Sequence, residues 1–191
     1  MLKIIKLYQT SINSLDTLSG IGPLAIRLFL IFPFYMAGAE KLGAIENTAA
    51  WFEHSLGLPF PLLMAYLAAL TEYIGAILLA LGLATRLISI PLIVTMLVAI
   101  FAVHWDNGWY AIAQSSNPEV AERLSAARSI LQEHGHYNWL TEKGPFVILN
   151  NGIEFAVTYL VMLLTLLFTG GGRYFSVDYW LARKFELTER V

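Results

Sequence analysis

The chain has 191 residues, of which 57% are hydrophobic and only 14% charged, with a formal net charge of -2. A soluble domain of this size carries roughly a quarter charged residues; here the charge is missing from long runs, which points to a membrane protein, and no basic stripe supports a nucleic-acid partner. The absence of cysteine excludes disulfides, iron–sulfur clusters, thiolate metal sites and dithiol redox chemistry within the chain, so a redox role needs a bound small molecule or a partner protein.

Residues 1–19 are too polar for a secretory core and carry no cleavage pattern, so they read as a cytoplasmic lead-in. Ile5, Tyr8, Ile12 and Leu15 share one helical face there, with Lys3 and Lys6 available to head groups. A span needs about 20 mostly apolar residues. Four stretches qualify: Pro23–Ala39, Pro59–Ala84, Leu87–Val103 and Val147–Thr169. Helix is the state expected, because an open strand leaves backbone groups unpaired in lipid and the alternation of a barrel is missing. The expected fold is therefore all-α, an integral membrane four-helix bundle forming one domain over residues 1–191. Short amphipathic flanking helices and an extended outer loop helix complete it.

In the long loop 105–146, Asn117 is placed to cap a helix opening on Pro118 and Glu119. Val120, Leu124, Ala127 and Leu131 form its apolar stripe, and Glu119 and Arg123 stand one turn apart. Gly170, Gly171 and Gly172 end the last span, and Ser176 caps a short tail whose Tyr179, Trp180 and Phe185 suit the membrane interface. Lys3, Lys6, Arg86, Arg173, Arg183 and Lys184 flank one side of the spans, while loops 42–58 and 105–146 are acidic. By the positive-inside rule both termini are expected in the cytoplasm, with the acidic loops in the periplasm of a bacterial inner membrane.

Ionisable groups inside spans are costly and face an interior, a partner or a water-filled cavity. Arg27 and Glu72 each lie about 20 Å from the outer end of their span by helical rise. A buried Arg27–Glu72 pair is expected, either as the floor of a site or as a clasp fixing helix register. Nearer the outer face, Glu40, Lys41, His104, Asn150 and Glu154 are expected to gather, with Tyr35 and Tyr73 supplying hydroxyls. Glu154 and Glu72 are the candidate proton-handling (catalytic) groups, since desolvated carboxylates are suited to moving protons. Arg27, Glu40, Lys41, His104, Asn150, Tyr35 and Tyr73 are the candidate substrate-binding residues. Glu40 and Lys41 also suit a solvated helix end, and His104 beside Trp105 a structural role. His134 and His136 lack a third ligand, so no metal site is expected; a single histidine near a span gives no bis-histidine haem site. A quinone fits an apolar slot with one or two hydrogen-bonding groups.

Arg27, Gly38-Ala39-Glu40-Lys41, Gly57-Leu58-Pro59, Ala68-Ala69-Leu70-Thr71-Glu72, Leu81-Gly82-Leu83-Ala84-Thr85-Arg86, His104, Asn151-Gly152-Ile153-Glu154 and Ser176-Val177-Asp178 form a spaced pattern. Together, over about residues 20–180, they resemble the DoxX family of small four-helix bacterial membrane proteins. That resemblance implies a cytoplasmic-membrane bundle working with redox partners, in thiosulfate:quinone oxidoreduction or beside superoxide dismutase and a sulfurtransferase. His104-Trp105-Asp106-Asn107-Gly108-Trp109 and Ile130-Leu131-Gln132-Glu133-His134-Gly135 resemble a narrower branch, encoded beside maturation systems for copper-binding modified peptides. The function expected is an inner-membrane accessory subunit of a redox or copper-peptide maturation system, as a homo-oligomer or beside a partner. A non-catalytic scaffold docking a periplasmic partner is the alternative; a small-molecule or proton-coupled transporter is a third, disfavoured by the lack of an inverted repeat.

Overall fold

A computed structural model describes Gln9 and residues 16–185. The amphipathic lead-in expected at Ile5, Tyr8, Ile12 and Leu15 lies outside the described residues. From residue 16 onward the described residues form, in chain order, the helices α1 (Ile21–Gly43), α2 (Ile45–His54), α3 (Pro61–Leu81), α4 (Thr85–Val98), α5 (Pro118–His134), α6 (Tyr137–Thr141), α7 (Glu154–Thr169) and α8 (Val177–Lys184). The chain divides into two compact units, residues 1–97 with 159–191, and residues 98–158.

In the first unit, α1 and α3 cross closely at Gly38, where an added Cβ would stand 2.5 Å from the Tyr73 amide nitrogen and 2.9 Å from the Ala69 carbonyl. Small residues let two backbones approach where lipid offers no hydrophobic driving force between helices. Leu30 and Phe34 of α1, Ala65, Ala69, Ala76 and Leu79 of α3, Leu92 of α4, and Leu163 and Leu166 of α7 are buried together with this crossing as the unit's apolar core. The crossing also sets register. Gly38, close to the end of α1, is level with Ala69 and Tyr73, so about the first turn and a half of α3 runs past α1. The short helix α2, absent from the sequence reading, covers that overhang with Ala49 and Phe52 against Ala65, flanked by Leu56 and Leu58. Pro33 and Pro91 sit inside α1 and α4 without ending either helix.

Among the described residues three helices are long and apolar enough to cross a membrane: Ile21–Gly43, Pro61–Leu81 and Thr85–Asn107. The third is α4 continued through a π-helical stretch, Ala99–His104, and a single 3₁₀ turn, Trp105–Asn107. The fourth expected span, 147–169, is shorter than its hydropathy suggests. Only Glu154–Thr169 is helical, 16 residues against the roughly 20 a crossing needs. The cause is backbone pairing that hydropathy does not register. Val147–Ile153 run outside any helix, Ile112 bridges Leu149 in antiparallel sense, and Ala113 N donates to Ile148 O at 2.9 Å. Asn151 takes a left-handed φ of 57°, and Gly152 packs on the backbone of Gly108–Tyr110 with no room for a Cβ.

The second unit holds that loop pairing together with α5 and α6. Asn117 caps α5 as expected, its side chain accepting from the Glu119 amide at 3.0 Å, and Arg123 pairs with Glu119 at 2.6 Å. Of the expected stripe only Leu124 is fully buried; Ala127 is exposed. In the first unit the glycine run does end α7 at Thr169, and Ser176 Oγ accepts from Tyr179 N at 3.2 Å, capping α8.

Candidate functional site

Glu72 and Arg27 do not pair. Glu72, 4% exposed in the middle of α3, accepts from Lys41 Nζ at 2.6 Å. A pairing of Arg27 with Glu72 would require the outer ends of α1 and α3 to be level. With Gly38 beside Tyr73, Arg27 instead falls level with Gly82, ten residues beyond Glu72 and about 15 Å deeper. Lys41, at the last turn of α1, is the cation that reaches the carboxylate. The last turn of a helix is a setting favourable to a cation because the orphan carbonyls carry partial negative charge. Ala37 O lies 3.5 Å from the same Nζ.

Tyr73 follows Glu72 directly in α3, and its ring packs against Tyr35 of α1. Their rings are 5.2 Å apart and inclined by 31°, and their hydroxyls are neighbours. Tyr35 is about one turn before Gly38 and Lys41 about one turn after, so both share the face of α1 that crosses α3. Glu72 is buried, whereas Lys41 is a quarter exposed and Tyr35 is 45% exposed. The arrangement offers an ammonium and two phenols as hydrogen-bond donors beside one sequestered carboxylate. Glu40 is exposed and has no part in this cluster.

The remaining candidates lie in the second unit and hold its backbone. Glu154 Oε2 accepts from the Ala111 amide at 3.0 Å, while the Glu154 amide donates to Trp109 O at 2.9 Å. His104 Nδ1 is 2.8 Å from Asn151 O and Asn107 Nδ2 donates to the same carbonyl at 3.2 Å. A carbonyl only accepts, so His104 carries its proton on Nδ1. Asn150 Nδ2 reaches Asn107 O at 3.5 Å. These contacts fix the left-handed turn at Asn151. Among the described residues no group of three or more acidic or histidine side chains could hold a metal ion.

Arg27 is 1% exposed and belongs to a separate cluster at the opposite end of α1. One Nη donates to Phe175 O at 2.8 Å, and Asp178 is the carboxylate whose charge it feels. Its Nε and other Nη have no partner among the described residues. The guanidinium occupies the space a Cβ at Gly82 would fill, and Ser176 is wedged between Gly82 and Gly171. Asp178 has a role that sequence reasoning missed. Its two oxygens accept from Ala84 N at 2.6 Å and Thr85 N at 2.8 Å, satisfying the orphan donors at the start of α4. The Asp178 amide returns a bond to Gly82 O at 3.0 Å. An acid in the first turn of α8 signals only a cap of its own helix; nothing in the linear sequence shows that it caps another one 93 residues away.

Residues 22–105 match the DoxX family model. That match takes in Lys41, Glu72 and all but the outermost residues of the three helices long and apolar enough to cross a membrane. A Bacillus subtilis protein named "Putative oxidoreductase CatD" is 37% identical over 83 residues, 44% of this chain and 60% of that protein. A Haemophilus influenzae protein described as uncharacterized is 32% identical over 95 residues, 48% of this chain and 62% of its own length. The chain thus spans about three fifths of the length of these curated relatives. No solved structure matches it significantly.

Proposed function

We propose that the chain is a DoxX-family subunit of a bacterial inner-membrane oxidoreductase, both termini cytoplasmic, which holds a small quinone-like substrate at the Lys41–Glu72 and Tyr35–Tyr73 cluster. The observation that carries this is the buried ion pair inside a span, its lysine partly exposed, with two packed phenols on the same two helices. An ionisable group at membrane depth is expensive and marks a site by default, and a slot with a few convergent donors suits a carbonyl ligand. The similarity to a protein named as an oxidoreductase supports the reaction class. Lys41 and the tyrosine hydroxyls donate to the quinone oxygens. Reduction to the hydroquinone takes up two electrons and two protons; the electrons come from a redox partner, because a chain without cysteine has no dithiol to supply them. Glu72 and Lys41 lie on the proton path.

The test is quinone retention and turnover. Wild-type protein purified in mild detergent retains extractable quinone, and Lys41→Met or the Tyr35→Phe/Tyr73→Phe double variant loses it along with oxidoreductase activity of the membranes. Protein free of quinone, with full activity in those variants, sinks the proposal.

A second function has its own supporting observation. Glu154 and His104 are spent on backbone contacts in the second unit, and α5 leaves all but Leu124 outside the core. That unit suits docking of a periplasmic partner, such as a copper-binding modified peptide or its maturation machinery. Deleting 112–136 then abolishes function while Lys41→Met and Glu72→Gln are tolerated.

A further inference from the structure

The end of the first unit where α3 turns into α4 carries cations that make no ion pair among the described residues. Arg86 opens α4, and its guanidinium lies against Gly170: a Cβ there would stand 3.2 Å from Nε. Arg173 follows three residues later in the same turn and is exposed. Tyr174 comes next, its carbonyl accepting from Trp180 Nε1 at 3.0 Å, and Arg183 lies 5.8 Å from the centre of the Trp180 ring. One continuous rim therefore carries three arginines, with Lys184 beside them. Tyr174 and Trp180 on it are about half exposed.

Asp178, in the first turn of the helix that carries Arg183 and Lys184, is withdrawn from this rim. It spends both oxygens on the Ala84 and Thr85 amides. Among the described residues Arg86, Arg173, Arg183 and Lys184 make no ion pair. Cations crowded on one rim repel one another unless an outside anion screens them. This rim lies at the mouths of α1, α3 and α4, where a spanning helix meets the head groups, and half-exposed Trp and Tyr suit that depth.

We propose that this rim is a binding site for the phosphate head groups of anionic phospholipids, with Arg86 and Arg173 as the principal contacts and Trp180 as the interfacial anchor. Arginine suits the task because its planar fork matches phosphate, and basic groups at the ends of spanning helices attract anionic lipid. The site is independent of the Lys41–Glu72 cluster and of any redox role.

The test uses the full chain in detergent micelles, with bound lipid counted by native mass spectrometry during titration with phosphatidylglycerol or phosphatidylcholine. Phosphatidylglycerol is retained in preference, and affinity falls on the order of fivefold for each of Arg86→Gln and Arg173→Gln. Arg123→Gln, on the exposed face of α5, changes nothing. Where either variant loses its helical signal, salt provides the second measurement: raising ionic strength from about 0.05 to about 0.5 M releases the lipid from wild-type protein. Equal retention of the two lipids, unchanged affinity in folded variants, insensitivity to salt, or displacement of lipid by equimolar free glycerophosphate would each overturn the proposal.

Discussion

Lys41 Nζ and Glu72 Oε2 are 2.6 Å apart, joining the last turn of α1 to the middle of α3. The contact exists because α3 overruns α1, so a residue at the end of one helix meets a residue halfway along the other. A carboxylate at that depth without a cation is a costly state.

Lys41→Met should therefore destabilise the chain by about 3 kcal/mol, the low end for breaking a buried pair, because Lys41 is partly exposed. The Lys41→Met/Glu72→Leu double variant should recover most of that loss, since a pair replaced by apolar groups leaves no uncompensated charge. Thermal unfolding in detergent checks both; equal instability of single and double variants contradicts the pairing.

Two glycines with left-handed backbones separate strain from packing. Gly57 has φ 61° with open space around it, and Gly82 has φ 63° with the Arg27 guanidinium where a Cβ would go. Gly57→Ala should cost about 1 kcal/mol. Gly82→Ala should cost about 2 kcal/mol more, because Arg27 must be expelled from its site. Matching losses in denaturation would mean that Arg27 relocates freely.

Asp178→Asn keeps one acceptor oxygen but cannot take both the Ala84 and Thr85 amides. A loss of about 1–2 kcal/mol is expected, and Asp178→Ala should exceed it. Hydrogen exchange at Ala84 and Thr85 should quicken in step. Unchanged exchange there would separate Asp178 from the start of α4.

Glu154→Gln retains an oxygen for the Ala111 amide, so exchange at Ala111 and Asn150 should stay near wild type, while Glu154→Leu should raise it at least tenfold, about 1.4 kcal/mol of local stability. A Gln variant that loses activity with its exchange unchanged would return Glu154 to a proton-handling role.

Much of the molecule is legible in the residues alone. Three membrane-crossing helices, the Asn117 and Ser176 caps, the Glu119–Arg123 pair and the glycine stop after Thr169 depend on runs and spacings a few residues long. Hydropathy, helical period and capping chemistry act at that range, so the sequence determines them. The sequence also marks Arg27 and Glu72 as groups that need partners. Which partners they take is decided by register between helices, and register follows from where Gly38 lets α1 and α3 touch. A shift of ten residues along α3 moves Arg27 from Glu72 to Gly82 and hands Glu72 to Lys41. The same limit applies to Val147–Ile153, apolar enough for a span yet drawn into backbone pairing with 108–113, and to Asp178, whose carboxylate serves a helix distant in the chain. Local patterning fixed which side chains are buried charges; only the packing of backbones against each other fixed what each one meets.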